Sequence, residues 1–145
     1  MIAHKNFEYQ EMLDFMMKTG DFFQKQVSIN HLSIPQYAKK MCEKGTIAYE
    51  IRDNIVVGMV IGYTDNTINN LSYITQVFVL PEYRRSGIAG KLLDEYIAYC
   101  IEKHLDGIWL TTENYNDKAI KLYEGKGFKK VFYEHEYLVK LLLKI

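Results

Sequence analysis

The stretch Val77–Leu93, Val-Phe-Val-Leu-Pro-Glu-Tyr-Arg-Arg-Ser-Gly-Ile-Ala-Gly-Lys-Leu-Leu, limits the chain more than any other part of it. It reads as a strand, a basic turn, a small-residue loop and the first turn of a helix. Pro81 stops the strand, because it has no N–H to give to a ladder. A helix start leaves backbone N–H groups without intrahelical partners, and the macrodipole adds positive character there. Gly87, Ala89 and Gly90 carry little or nothing that would block a ligand from those groups. Arg84 and Arg85 add positive charge suited to phosphate oxygens. The junction is thus a candidate anion site, and equally an ordinary solvated strand–helix turn until context decides.

The context is a mixed α/β pattern. Apolar residues at Phe7, Met12, Phe15, Met16, Phe22 and Phe23 predict an amphipathic helix from about Lys5 to Phe23, ended or interrupted by Gly20. Val27 to Leu32 is ambiguous. Ser33-Ile34-Pro35-Gln36 predicts an N-cap with Pro in the first turn, opening a helix that closes near Gly45. Thr46–Arg52 and Ile55–Tyr63 predict a hairpin turned by Asp53-Asn54, followed by a polar loop from Asp65 to Asn70. A third strand runs from about Leu71 to Leu80. The helix from about Gly87 to Lys103 carries one stripe: Ile88, Leu92, Leu93, Tyr96, Ile97, Cys100 and Ile101. Ile108–Leu110 is a short apolar strand, and Asn116 or Asn114 caps a helix running to about Gly125. Phe128–Tyr133 and Tyr137–Leu143 are the last strands. The strand–helix–strand unit predicts a right-handed crossover between parallel strands. The expectation is one α/β domain over residues 1–145.

Composition excludes several classes. Lys+Arg and Asp+Glu both number 18 in 145 residues, so there is no basic surplus for nucleic acid. Cys42 and Cys100 do not make a disulfide framework, and Cys100 lies among core residues. No signal pattern and no apolar run of membrane-spanning length is present, which sets the expectation of a cytoplasmic protein that works without a membrane. The four histidines are scattered, so no metal site is expected. No serine stands in a nucleophile elbow.

A second stretch, Asn116-Asp117-Lys118-Ala119-Ile120-Lys121-Leu122-Tyr123-Glu124-Gly125-Lys126-Gly127-Phe128, completes a pattern with the first. Arg84, Gly87 and Ala89 match the Arg/Gln-x-x-Gly-x-Gly/Ala loop of the GNAT superfamily of acetyl-CoA-dependent N-acetyltransferases. Asn116, Ala119, Leu122, Tyr123, Gly127 and Phe128 match its Asn-x-x-Ala-x-x-Leu-Tyr-x-x-x-Gly-Phe motif. The chain from Thr46 onward therefore resembles that family.

The resemblance implies a central sheet of six to seven strands, splayed between two parallel strands near Phe78 and beyond Leu110, with helices on both faces. It implies acetyl-CoA as co-substrate. Its diphosphate would lie on the N–H groups of the Arg85–Gly90 turn (Arg85, Ser86, Gly87, Ile88, Ala89 and Gly90), and its pantetheine along Val77, Phe78 and Val79. The acetyl oxygen would meet a strand N–H near Phe78 or Val79. Asn116 would contact the pantetheine amide or order a water. Tyr123 stands where the family keeps the acid for the leaving thiolate. Where many members place a Glu base on the motif strand, this chain has Thr75. Glu113, Glu134 and His135 are the other candidates, and the base stays unassigned. The acceptor pocket would form from Phe22–Ile34, Tyr63–Tyr73 and Phe132–Tyr137. A small-molecule amine is the first expectation, and the Tyr- and Phe-rich segments suit an aromatic, amino-sugar or amino-acid-like acceptor over a polycation, and equally an ordinary core. A peptide or protein N-terminus, or an inactive acyl-CoA-binding sensor, is the alternative. Dimers are frequent in the family, and no residue here decides whether a homodimer forms.

Overall fold

The computed structural model describes residues 1–25 and 31–145. Seven strands form one sheet: β1 (Ile2–His4), β2 (Thr46–Arg52), β3 (Ile55–Tyr63), β4 (Leu71–Val79), β5 (Gly107–Glu113), β6 (Lys129–Val131) and β7 (Leu138–Lys144), in the order β1-β2-β3-β4-β5-β7-β6. Helices among the described residues are α1 (Tyr9–Met17), α2 (Ile34–Lys44), α3 (Ile88–Glu102) and α4 (Asp117–Gly125), and residues 22–25 are also helical.

Local chemistry explains most boundaries. Ser33 caps α2 with its hydroxyl accepting from the Gln36 N–H, and the Gln36 side chain accepts from the Ser33 N–H, a reciprocal capping box with Pro35 in the first turn. Asp53 and Asn54 both take positive φ, as the tight turn between β2 and β3 demands. Asn116, not Asn114, caps α4, its side chain accepting from the Ala119 N–H at 3.3 Å. The first helix is shorter than its apolar spacing suggested, because Glu8 caps it from the side chain and Lys18 closes it. The edge strand β1 escaped the pattern reading: three residues are too few to show a period.

Side chains alternate along β4, and a bulge at Thr75 reverses which face the even positions take. Ser72 bonds the Tyr96 hydroxyl of α3 at 2.8 Å on one face. On the other, Gln76 donates to the Tyr37 hydroxyl of α2, and Phe78 meets the rings of Phe15 and Phe22. The α3 stripe is buried at Ile88, Leu92, Leu93, Tyr96 and Cys100, but Ile101 lies on the outer side, 54% exposed. Cys42 and Cys100 are buried free thiols. No helix among the described residues is long and apolar enough to cross a membrane.

The parallel contact that positions everything else is brief. β4 and β5 pair only at Leu71–Gly107, Ser72–Ile108 and Tyr73–Trp109. β7 pairs the other edge of β5 along all seven of its residues. β4 stays with β3, whose register skips one residue at Thr75, a bulge in β4. The splay therefore opens after Tyr73, several residues before Phe78. The bulge twists β4 away from β5, so the parting starts where the ladder is already irregular.

Candidate active site

β4 past the bulge is an open edge. Leu80 donates to the Val57 carbonyl, so Leu80 and Val57 are a hydrogen-bonded pair. The antiparallel ladder alternates, which spends the Phe78 N–H on β3 and turns the N–H and C=O groups of Val77 and Val79 toward the gap left by β5. Of the two strand positions expected to meet a carbonyl oxygen, Val79 is the one whose N–H faces the gap. The Val79 N–H and both groups of Val77 can pair with an extended amide chain, as an added strand would, while the Val79 carbonyl accepts from Arg84.

The chain then turns back through Pro81–Tyr83 into α3. Arg84 braces this turn. Its Nε donates to the Val79 carbonyl at 2.8 Å, and its guanidinium lies 5.0 Å from the Phe78 ring centre. The Tyr83 hydroxyl donates to Asp53 at 2.7 Å, tying the turn to the β2–β3 hairpin. Arg85 and Gly87 both have positive φ. Gly87 is the N-cap of α3 and has no side chain to offer, so the N–H groups of Ile88, Ala89 and Gly90 have no cap.

These features share one cleft of about 480 Å³. Val77, Phe78, Val79, Arg84, Arg85, Gly87, Ile88, Ala89, Gly90, Asn116 and Tyr123 all line it, together with Phe22, Tyr83, Lys118, Ala119 and Leu122. Ser86 is the exception among the expected residues: its hydroxyl donates to the Tyr83 carbonyl at 2.6 Å and does not face the cleft. Among the described residues, no carboxylate is in the wall. Neighbouring cations are neutralised, Lys91 by Glu50 and Lys126 by Asp94, whereas Arg85 and Lys118 have no acidic partner among the described residues. Lys118 was missed in the sequence, where it reads as one more charge on a helix surface. An uncapped helix start, two unpaired cations and an unpaired strand edge fit a ligand with phosphates at one end and amides along its length. Coenzyme A is such a ligand.

Tyr123 is 7% exposed, packs against Phe128 and reaches the cleft from α4. Burial alone pushes its phenol up to about 12. No hydrogen-bond partner meets its hydroxyl among the described residues.

None of the base candidates lines this cleft. The Thr75 hydroxyl donates to the Ile61 carbonyl at 3.2 Å. Glu113 and Glu134 are exposed. The His135 Nδ1 accepts from the Tyr137 and Leu138 N–H groups and so is committed as a backbone acceptor. Of the expected acceptor segments, residues 26–30 lie outside the described residues. Tyr63–Tyr73 lines a second cleft of about 500 Å³ on the α2 face. Tyr73 stands at the last paired position before the strands part, its ring stacked 4.2 Å from Trp109.

The comparisons agree with this geometry. The sequence matches the Acetyltransferase (GNAT) family over residues 12–128. It is 28% identical over 137 residues to an N-alpha-acetyltransferase of Saccharolobus solfataricus, covering 81% of this chain and 82% of that one. It is 38% identical over 77 residues to N-alpha-acetyltransferase 30 of Saccharomyces cerevisiae, covering 52% of this chain but only 44% of the yeast protein. Among solved structures, a chain in the NatC complex bound to Gag peptide and CoA superposes with a TM-score of 0.66 at 27% identity, covering 99% of this chain and 98% of that one. With the family pattern running through most of the sequence and the splayed sheet and anion cleft in place, the chain belongs to the acetyltransferase (GNAT) family.

Proposed function

We propose that the chain transfers acetyl from acetyl-CoA to the α-amino group of a peptide or protein. One observation carries the choice of amine: among the described residues no wall residue of the cleft is a carboxylate, and the strand position where a base is expected holds Thr75 with its hydroxyl spent on Ile61. An attacking amine must be neutral. An α-amino group has a pKa of roughly 8, a lysine or alkyl amine roughly 10.4. Near neutral pH the α-amine therefore supplies a few-hundred-fold larger neutral fraction, and needs no protein base. The names of the archaeal and yeast relatives support the same class of acceptor.

The division of labour follows from the side chains. Arg85, Lys118 and the uncapped start of α3 would hold the diphosphate end. The open edge at Val77 and Val79 would hold the amide arm, and an N–H there would stabilise the oxyanion that forms when the amine nitrogen bonds to the thioester carbon. The C–S bond then breaks, the surplus amine proton goes to water, and the thiolate is met by the Tyr123 hydroxyl. With its phenol near 12, Tyr123 stays protonated and donates a hydrogen bond. Full proton transfer would be uphill. In this proposal the acid role expected of Tyr123 is hydrogen-bond donation to the thiolate.

Thiol release from acetyl-CoA tests the proposal across amino sugars, polyamines, aminoglycosides and peptides with free or blocked α-amines. Turnover is expected only with free α-amines. Turnover confined to a small-molecule amine refutes the reading, and tight acetyl-CoA binding without any transfer supports a sensor instead.

A further inference from the structure

The second cleft carries a charge pattern that the acetyl-transfer chemistry does not use. It is lined by Tyr63, Tyr73, Trp109, Lys40, Lys140 and the β3–β4 loop around Asp65. Trp109 and Tyr73 stack to form an aromatic floor, and the Lys140 ammonium sits 4.5 Å from the indole centre. Tyr63 comes from β3, its hydroxyl against Met41 of α2, so the cleft is on the α2 face. The one acid in the lining, Asp65, is taken: Lys103, Lys5 and His4 approach it at 2.6, 2.7 and 2.8 Å. Lys40 and Lys140 have no carboxylate partner among the described residues. The neighbouring Lys39 pairs with Glu43. The cleft thus offers two uncompensated ammoniums over a π surface, a site for an anionic group on an extended chain.

Its place along β4 fixes which part of an acceptor it meets. Tyr73 pairs with Tyr63 and Val77 with Val60, so with the bulge at Thr75 between them they stand three ladder steps, roughly 10 Å, apart along the strand. An extended peptide advances roughly 3.4 Å per residue, and both side chains add reach. With the α-amine near the Val77–Val79 edge, an acidic side chain at about the third to fifth acceptor position falls over this cleft.

Resting on the function proposed above, we infer that Lys40 and Lys140 select acceptor peptides with a Glu or Asp at about the third to fifth position. The test uses three peptides differing at position four only, with Glu, Gln or Lys there. Two partly exposed ion pairs give the Glu peptide a KM about 3- to 10-fold below that of Gln, with Lys weaker than both. In a Lys40→Ala/Lys140→Met variant the preference disappears while kcat for the Gln peptide is unchanged. Acetylation of all three with equal KM, or a preference that survives in the variant, overturns the inference and leaves the function standing. A turnover-independent arm separates the two failures. Trp109 is the only tryptophan, so its emission reports this cleft alone. Titration with the N-acetylated Glu peptide gives a saturable change in the parent protein and none in the variant. If no peptide is acetylated, the function fails, and an unresponsive Trp109 then refutes the acid site as well.

Discussion

Replacing Tyr123 by Phe removes one atom, the oxygen that the proposed mechanism sets against the leaving thiolate. The hydroxyl has no partner among the described residues, so its loss leaves no orphaned donor or acceptor in the protein. The ring keeps its packing on Phe128. Unfolding free energy should therefore change by less than about 0.5 kcal/mol. The kinetic effect is different. Raising the phenol to about 12 places it some 3.5 units above a thiol of pKa ~8.5, so complete proton transfer would cost roughly 5 kcal/mol. A hydrogen bond to the developing thiolate is the contribution that remains, worth about 1.5–3 kcal/mol for a charged acceptor. Its loss should lower kcat about 10- to 150-fold, with little change in the KM for acetyl-CoA. The assay is single-turnover thiol release at saturating acetyl-CoA and peptide. In the parent enzyme the rate should rise as the acceptor amine deprotonates, then hold level through pH 9, since Tyr123 does not titrate there. An unaltered single-turnover rate in the Phe variant would refute the role. So would a falling limb below pH 9 in the parent that vanishes in the variant, because that would be a titrating Tyr123.

Other substitutions probe the scaffold and the cleft separately. Gly90→Asp has room for its side chain, since a Cβ there meets Lys126 only at 3.5 Å, and an acid in the first turn suits the helix dipole. Denaturation should be unchanged within about 0.5 kcal/mol, while titration calorimetry should show CoA binding weakened by at least roughly 100-fold through like-charge repulsion; tight binding by this variant would remove the diphosphate from the α3 start. Gly62→Ala should cost about 3 kcal/mol in urea unfolding, because its Cβ would strike the Tyr96 hydroxyl and stand 2.6 Å from the Tyr73 carbonyl, where the buried Ser72–Tyr96 bond leaves no slack. Asp65→Asn should cost about 1–2 kcal/mol at pH 7. Lys103 first, then Lys5, hold the Asp65 carboxyl below its ordinary value, so this stability is present above pH ~4 and is lost as pH falls further; the Asn variant should lack that acid-dependent loss, and an identical pH profile would contradict the network.

The sequence made the joints of the fold readable where chemistry is local. Ser33 with Gln36, Asp53-Asn54, Asn116 and Gly87 each declare a cap or a turn in one or two residues, and each stands where its side chain or backbone freedom requires. The cleft was readable for the same reason: Arg84–Gly90 and Asn116–Tyr123 are two short motifs that the strand–helix–strand crossover brings together. Long-range pairing was not. The early splay depends on how far β5 follows β4 while β7 holds its other edge throughout, and nothing in Ile108-Trp109-Leu110 says that this is three residues. The bulge at Thr75 is equally silent, because a β-branched residue reads as regular strand. Ser86 shows the limit of motif reading at single residues: its position is in the loop, but its hydroxyl serves the turn itself. The charge pattern of the second cleft joins Lys40, Trp109 and Lys140 from three separate elements, so no window of sequence contains it.

The most direct measurement uses one peptide with a free α-amine and an internal lysine, incubated with the protein and acetyl-CoA at pH 7.5, and locates the added acetyl group by fragment mass spectrometry. Acetyl on the α-amine alone is the expected result, with Gly90→Asp abolishing it. Acetyl on the lysine side chain, or an unmodified peptide under conditions where a small-molecule amine is acetylated, would contradict transfer to an α-amine from this cleft.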